Sequence, residues 1–340
     1  MAPVIVQVGA ALSDQARGTA IAAAAAPNVR QLRHLSGDGF DNGDRMTSCL
    51  TLLILLFANF APTVVTTIAT PPSTNMKATW LWDTSLIHTN DSRNSVLQFA
   101  KEQRVTRIYV QIDPALDPGA YRTFIKGASA AGIQIHALDG APDWIAPDRR
   151  HRISDTVDWV NRFNNAALPE ERFTGIQVDI EPYTLPEWNT NRDTVVQRWL
   201  DTVTLFAAKT KSSSSLTASA ALPFWLDEIP MSGSGSGSVS LMEAMMRQLD
   251  EVTLMSYRNQ AKALADIALT KLELGDRLGK KVSVGVETNS TKEPAFITFY
   301  GEGRARMEIE LLSIDKLLRN YASYAGVVIH DYSGWRKLKE

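Results

Sequence analysis

From Thr79 onward the apolar residues come in short runs separated by longer amphipathic stretches, the alternation that a series of βαβ units produces. Eight runs read as strands: 79–83, 107–113, 133–139, 175–181, 216–223, 252–257, 282–287 and 326–331. Helical periodicity fills intervals such as 92–103, 120–131, 194–209, 241–249, 261–274 and 304–321. Right-handed crossovers close eight such strands into an α/β fold, the (β/α)8 TIM barrel, with the loops after each strand gathered at one face. The expected barrel domain is 73–340. Within it, Ser232–Ser240 is almost pure Ser and Gly and reads as a flexible loop after the fifth strand.

The preceding residues follow another pattern. Residues 1–45 are Ala-rich and then Gly- and Asp-rich, which predicts a low-complexity mobile segment. In 46–72, Arg45 and Met46 precede an apolar run over 50–61, then Pro62 and small residues, the layout of a secretory signal with Met46 as a candidate start. Three readings stay open: a cleaved signal and a secreted, extracellular protein, an uncleaved anchor carrying an ectodomain, or a buried core helix.

The strand ends carry the chemistry. In 173–183, Ile176, Val178 and Ile180 share one face of a period-two strand, while Gln177, Asp179 and Glu181 share the other. Pro182 cannot donate to a ladder, so Glu181 falls at the carboxyl tip, where barrel loops build active sites. In 282–287 the valines alternate with Ser283, Gly285 and Glu287, which aims Glu287 into the same mouth, with Gly285 leaving room inside. Two carboxyl groups flanking a bond suit glycoside hydrolysis, one protonated to serve the leaving oxygen and one ionised to attack carbon or activate water. Apolar neighbours and the charge of Asp179 are expected to raise the pKa of Glu181, with Asp179 itself staying charged.

Other strand ends supply Asp83, Asp113, Asp139, Tyr257, Arg258, His330 and Asp331. The three aspartates are candidates for substrate binding or, as often for Asp, for turn and helix capping. Arg258 suits an anionic substrate group or an ion pair with a neighbouring Asp, and only one of His330 and Asp331 can point inward. Trp80, Trp82, Trp144, Tyr183, Trp188, Trp225, Tyr332 and Trp335 lie at or beyond strand ends, where flat rings can stack on sugars. For Trp80 and Trp82, one of the two is expected to face the helices.

Val178-Asp179-Ile180-Glu181 resembles the tail of the Asp-x-x-Asp-x-Asp-x-Glu signature of glycoside hydrolase family 18, the chitinase-like barrels, and Met255-Ser256-Tyr257 is similar to that family's Met-x-Tyr. The resemblance implies Glu181 as acid, Asp179 as the group positioning a substrate N-acetyl nucleophile, and Tyr257 as its hydrogen-bonding partner. Thr174 and Gln177 stand where that family has its first two aspartates, and Arg258 where it has Asp. Glu181-Pro182 with Glu287 also resembles the broader superfamily of barrel glycosidases, with an acid/base Glu on the fourth strand and a nucleophile on the seventh. Ile180 stands where many of those enzymes have Asn.

Charge and composition narrow the field. There are 35 basic against 37 acidic side chains for a formal charge of −2, with no long basic run, so nucleic acid is not an expected partner. One cysteine, Cys49, allows no intramolecular disulfide, and five scattered histidines make no zinc motif. The expectation is a monomeric glycoside hydrolase acting on a carbohydrate substrate, without cofactor or metal, and with no membrane partner beyond the possible anchor. The alternatives are a chitinase-like enzyme using Asp179 and Glu181, a non-catalytic carbohydrate-binding barrel, and a metal-dependent hydrolase built on the aspartates and His330. Asn90 and Asn289 begin glycosylation sequons, relevant only on a eukaryotic secretory route.

Overall fold

Strands buried on both faces need almost continuous apolar sequence, and the eight runs meet that need. The computed structural model describes residues 75–231 and 239–340. The expectations for 1–45 and 46–72, and that for the Ser/Gly run over 232–238, lie outside the described residues. The runs form β1 (Met76–Leu81), β2 (Arg107–Gln111), β3 (Gln134–Asp139), β4 (Gly175–Asp179), β5 (Thr217–Pro223), β6 (Glu251–Met255), β7 (Lys281–Glu287) and β8 (Tyr324–His330). Each strand pairs parallel with the next, and β8 pairs with β1, giving a closed (β/α)8 barrel.

A helix follows each strand: α1 (Asn90–Glu102), α2 (Pro118–Ala130), α3 (His151–Asn165), α4 (Arg192–Ser213), α5 (Leu241–Gln248), α6 (Ala261–Leu278), α7 (Arg304–Leu318) and α8 (Tyr332–Lys337). Local chemistry sets several of their ends. Thr89 and Ser92 form a capping box at α1, Asp117 caps α2 ahead of Pro118, and Gly279 ends α6 at φ 65°. Val239–Ser240, read in the sequence as the end of the flexible loop, pairs antiparallel with Pro230–Met231. Among the described residues no helix is long and apolar enough to cross a membrane.

Two apolar cores result. The larger fills the space between sheet and helices, and a smaller one inside the barrel gathers Trp80, Tyr109, Leu138, Met255, Tyr257 and Val328. A chain of polar side chains crosses the interior just below the mouth. Trp80 Nε1 donates to Gln177 Oε1 at 2.7 Å, Gln177 Nε2 donates to Thr253 Oγ1 at 3.0 Å, and Thr253 Oγ1 lies 2.9 Å from Ser283 Oγ. Those contacts place Gln177 inward on β4, as the alternation requires. Trp80 and Trp82 both pack on the interior core, so neither faces the helices: residues two apart on a strand share a face. Gly285 has the packing role read from its position, because a Cβ there would sit 2.6 Å from the Leu254 carbonyl oxygen and 3.4 Å from the Tyr257 ring.

Candidate active site

The carboxyl end of β4 builds the first half of the site. Pro182 starts a single 3-10 turn, Pro182–Thr184, and that turn carries Tyr183 back so that its hydroxyl donates to Glu181 Oε2 at 2.7 Å. Tyr183 is therefore a partner of Glu181 and not an open stacking platform; its ring packs edge-on against Trp225 at 5.2 Å between centroids. Asp179, the last ladder residue of β4, is in hydrogen-bonding contact with Glu181.

Burial raises the pKa of both acids. For Asp179 the adjacent Glu181 charge and the hydrogen bond to Glu181 add to the burial, with only the His330 charge opposing. For Glu181 burial is offset by the Tyr183 hydroxyl, the His330 charge and the bond to Asp179. Asp179 is thus pushed toward its neutral form by burial as Glu181 is, where the sequence reading expected it to stay charged. The Oδ1 of Asp179 is buried without a hydrogen-bond partner.

The ends of β7 and β8 build the second half. Glu287, 8% exposed, accepts on Oε1 from the backbone N–H of Thr288 at 2.8 Å, that of Asn289 at 2.7 Å and Asn289 Nδ2 at 3.0 Å. Its Oε2 lies 2.8 Å from His330 Nδ1. Burial alone pushes Glu287 up, but the His330 charge, the hydrogen bond to it and the Asn289 donors hold it below the usual carboxylate range. His330 shows the reciprocal balance. Burial works against its charge, yet Glu287 above all, then Asp331 and Asp179, push it up to about 9. One contact opposes this. Trp82 Nε1 lies 3.3 Å from His330 Nε2, which fits an N–H meeting an unprotonated nitrogen. That contact is long, whereas the carboxylates are full charges at close range, so the imidazolium prevails near neutral pH.

Tyr257 links the halves. Its ring centre is 5.8 Å from that of His330, and its pKa is pushed well up by burial and then by Glu287, Asp179, Glu181 and Asp331. A cleft beside it is lined by Tyr183, Phe224, Trp225, Tyr257, Arg258 and Glu287.

The remaining candidates divide. Asp83 is exposed and accepts from Ser85 N at 3.0 Å and Ser85 Oγ at 2.6 Å, capping a 3-10 turn. Asp113 is exposed and accepts from Ala115 N at 2.9 Å. Asp139 accepts from Gln111, Gly140 and Thr156. All three carboxylates accept from local donors, and Asp83 caps a turn. Asp331 caps α8 through Gly334 N at 2.8 Å and also accepts from Asn289 Nδ2 at 3.2 Å, leaving His330 as the inward member of that pair. Tyr332 and Trp335, read as possible stacking platforms, are buried and pack on Phe99. The ion pair expected between Arg258 and an Asp does not form; the guanidinium lies against Phe224 and Phe296.

Three contributors were not read from the sequence in these roles. Asn289 holds Glu287 with two donors, an engagement of Nδ2 that a glycan on this sequon nitrogen would break. Thr288 adds a backbone donor, and the Trp82 ring packs edge-on beside His330. The signal available was Glu287-Thr-Asn itself, since Asn just past a strand commonly bonds nearby backbone and side chains. Among the described residues, no group of three His, Cys, Asp or Glu is gathered as a metal ion requires.

No protein-family model and no curated protein matches the sequence. Solved structures do match in shape. A chitinase from Bacteroides thetaiotaomicron aligns at TM-score 0.48 and 12% identity over 76% of this chain and 90% of its own. The β-mannanase of the blue mussel Mytilus edulis aligns at 0.50 and 12% over 77% and 89%. A putative α-L-fucosidase from Bacteroides thetaiotaomicron aligns at 0.50 and 14% over 82% and 92%. At such identities the likeness to the mannanase and the putative fucosidase, both at TM-score 0.50, establishes the fold alone, the (β/α)8 barrel.

Proposed function

We propose that this protein is a glycoside hydrolase in which Glu181 is the general acid and Glu287 the ionised carboxylate. The observation that carries the reading is geometric: the carboxyl ends of β4 and β7 bring Glu181, held by the Tyr183 hydroxyl, and Glu287, held by three N–H donors and His330, to one barrel mouth, surroundings that displace Glu181 upward and Glu287 downward in pKa. Pairs of carboxyl groups pushed apart in this way divide acid from nucleophile or base in glycosidases. In the proposed reaction Glu181, kept protonated by burial, gives its proton to the glycosidic oxygen. Glu287, clamped by three N–H donors and the His330 ring, attacks the anomeric carbon or takes a proton from the attacking water. Tyr257 lies within electrostatic reach of both acids and faces the developing positive charge. The shared fold with a β-mannanase supports the class of reaction and leaves the sugar open. The experiment is hydrolysis of a polysaccharide panel by wild type, Glu181→Gln and Glu287→Gln. Both variants should lose activity by at least about a hundredfold, with Glu181→Gln recovering on aryl glycosides whose leaving group needs no proton. Wild-type rates in both would sink the assignment.

A second mechanism is favoured by one feature, the buried and unpartnered Oδ1 of Asp179. On an N-acetylated glycan that oxygen would accept the acetamido N–H and orient the acetyl oxygen as internal nucleophile. In that case Asp179→Asn abolishes turnover while Glu287→Gln retains much of it. Localisation to the secreted or surface compartment is proposed from the apolar segment over 50–61 alone, and detection of the mature protein in medium or membranes tests it.

A further inference from the structure

Arg258 stands immediately after Tyr257 and lines the cleft that also holds Tyr257, Glu287 and Trp225. Some arginines elsewhere in the fold pair with carboxylates: Arg107 with Glu251, Arg247 with Glu243, Arg304 with Glu340 and Arg306 with Glu310. Arg258 has no such partner within ion-pair distance among the described residues. Its Nη1 donates to its neighbour's carbonyl, Tyr257 O, at 2.8 Å, and the guanidinium carbon lies 5.4 Å from the Phe224 ring centre and 5.2 Å from that of Phe296. Ring contacts hold a guanidinium without using its N–H groups. Most of its five donors therefore stay unspent on a side chain that is half-buried and fixed in place. Burial without a counter-ion also lowers its pKa, the penalty that an arriving anion would relieve.

The acids of the cleft do not fill this role. Glu287 is already clamped by Thr288, Asn289 and His330. Glu293 lines the same cleft and forms no ion pair with Arg258. A neutral substrate would leave a charged, partly dehydrated fork facing hydroxyl groups, whereas a carboxylate or sulfate accepts two parallel N–H bonds from it.

We propose that Arg258 is a specificity-determining residue that receives an anionic substituent, a carboxylate or a sulfate, on the glycan seated beside Glu287. The inference rests on the glycosidase reading and names the substrate class within it: acidic rather than neutral glycans. No covalent step is added, since the anion is bound and not transformed.

The test uses the full chain carrying Glu181→Gln, so that substrates bind without turnover, on a glycan array of uronate-bearing, sulfated and neutral oligosaccharides. Hits are then titrated calorimetrically beside their carboxyl-reduced or desulfated forms. The expected result is at least tenfold tighter binding of the anionic form, the scale of one charge-assisted bidentate contact. Arg258→Gln should erase that preference, and Arg258→Lys should keep part of it because it retains charge but loses the fork. Dependence on uronate alone, or on sulfate as well, identifies the source of the anion. Equal binding of anionic and neutralised forms, or equal losses for both in Arg258→Gln, overturns the inference while leaving the two-carboxylate mechanism to its own hydrolysis test. If Arg258→Gln does not fold, the Lys variant against the same ligand pairs decides. Absence of binding to every glycan overturns this inference together with the proposed function.

Discussion

Replacing His330 isolates the interaction that keeps Glu287 ionised. Glu287 receives four hydrogen bonds, three from N–H groups of its own loop and one, at 2.8 Å, from His330, the only one of the four that brings a positive charge. In His330→Asn an amide N–H can take the place of Nδ1 without the charge, and in His330→Phe both are lost. The loop donors remain, so the carboxylate stays in position while burial, the largest influence on it, is no longer opposed by the imidazolium. A hydrogen bond to a charged group contributes about 1.5–3 kcal/mol, equivalent to about one to two pH units. In the proposed mechanism activity requires ionised Glu287, so raising its pKa moves the acid limb of the pH profile toward neutrality. The assay is kcat/KM against pH, which reports the free enzyme. The expected order is wild type lowest, then Asn, then Phe. An acid limb that stays put in both variants refutes the pairing, as would a change confined to the alkaline limb.

Other outcomes follow from the same geometry. Asp179 and Glu181 have native pKa values above the ordinary 3.8 and 4.5, so between those values and their raised ones the native state holds protons that the unfolded chain releases. Stability then falls as pH rises through that window, and thermal melting of Asp179→Asn should show a flatter alkaline side than wild type; parallel curves would contradict the buried-acid reading. Gln177, fully buried between Trp80 and Thr253, bridges two strands, and Gln177→Ala leaves a buried indole N–H without an acceptor and opens a cavity. The expected loss is about 2–4 kcal/mol in denaturant unfolding, and a loss under about 0.5 kcal/mol, the range of an ordinary surface substitution, would show that the polar layer is not structural.

The eight apolar runs, the period-two placement of Gln177, Asp179 and Glu181 toward the interior and the meeting of β4 and β7 ends at one mouth were determined by the sequence itself. They follow from local rules, because a residue's face is set by its parity along a strand and a closed parallel barrel sends every strand's carboxyl end to one rim. Partnership was decided only by tertiary structure. Whether Asp83 caps a turn or binds substrate depends on what lies beside it, and Ser85 does. Arg258 was a plausible ion-pair partner until Phe224 and Phe296, 34 and 38 residues away in sequence, were found against it. How far the Glu181 carboxyl is pushed up depends on its burial and on the hydroxyl that a 3-10 turn returns to it. The pairing of Glu287 with His330 joins strand ends 43 residues apart. Charge states in a buried site are collective properties of such juxtapositions, and one-dimensional pattern carries the positions of the acids without their energies.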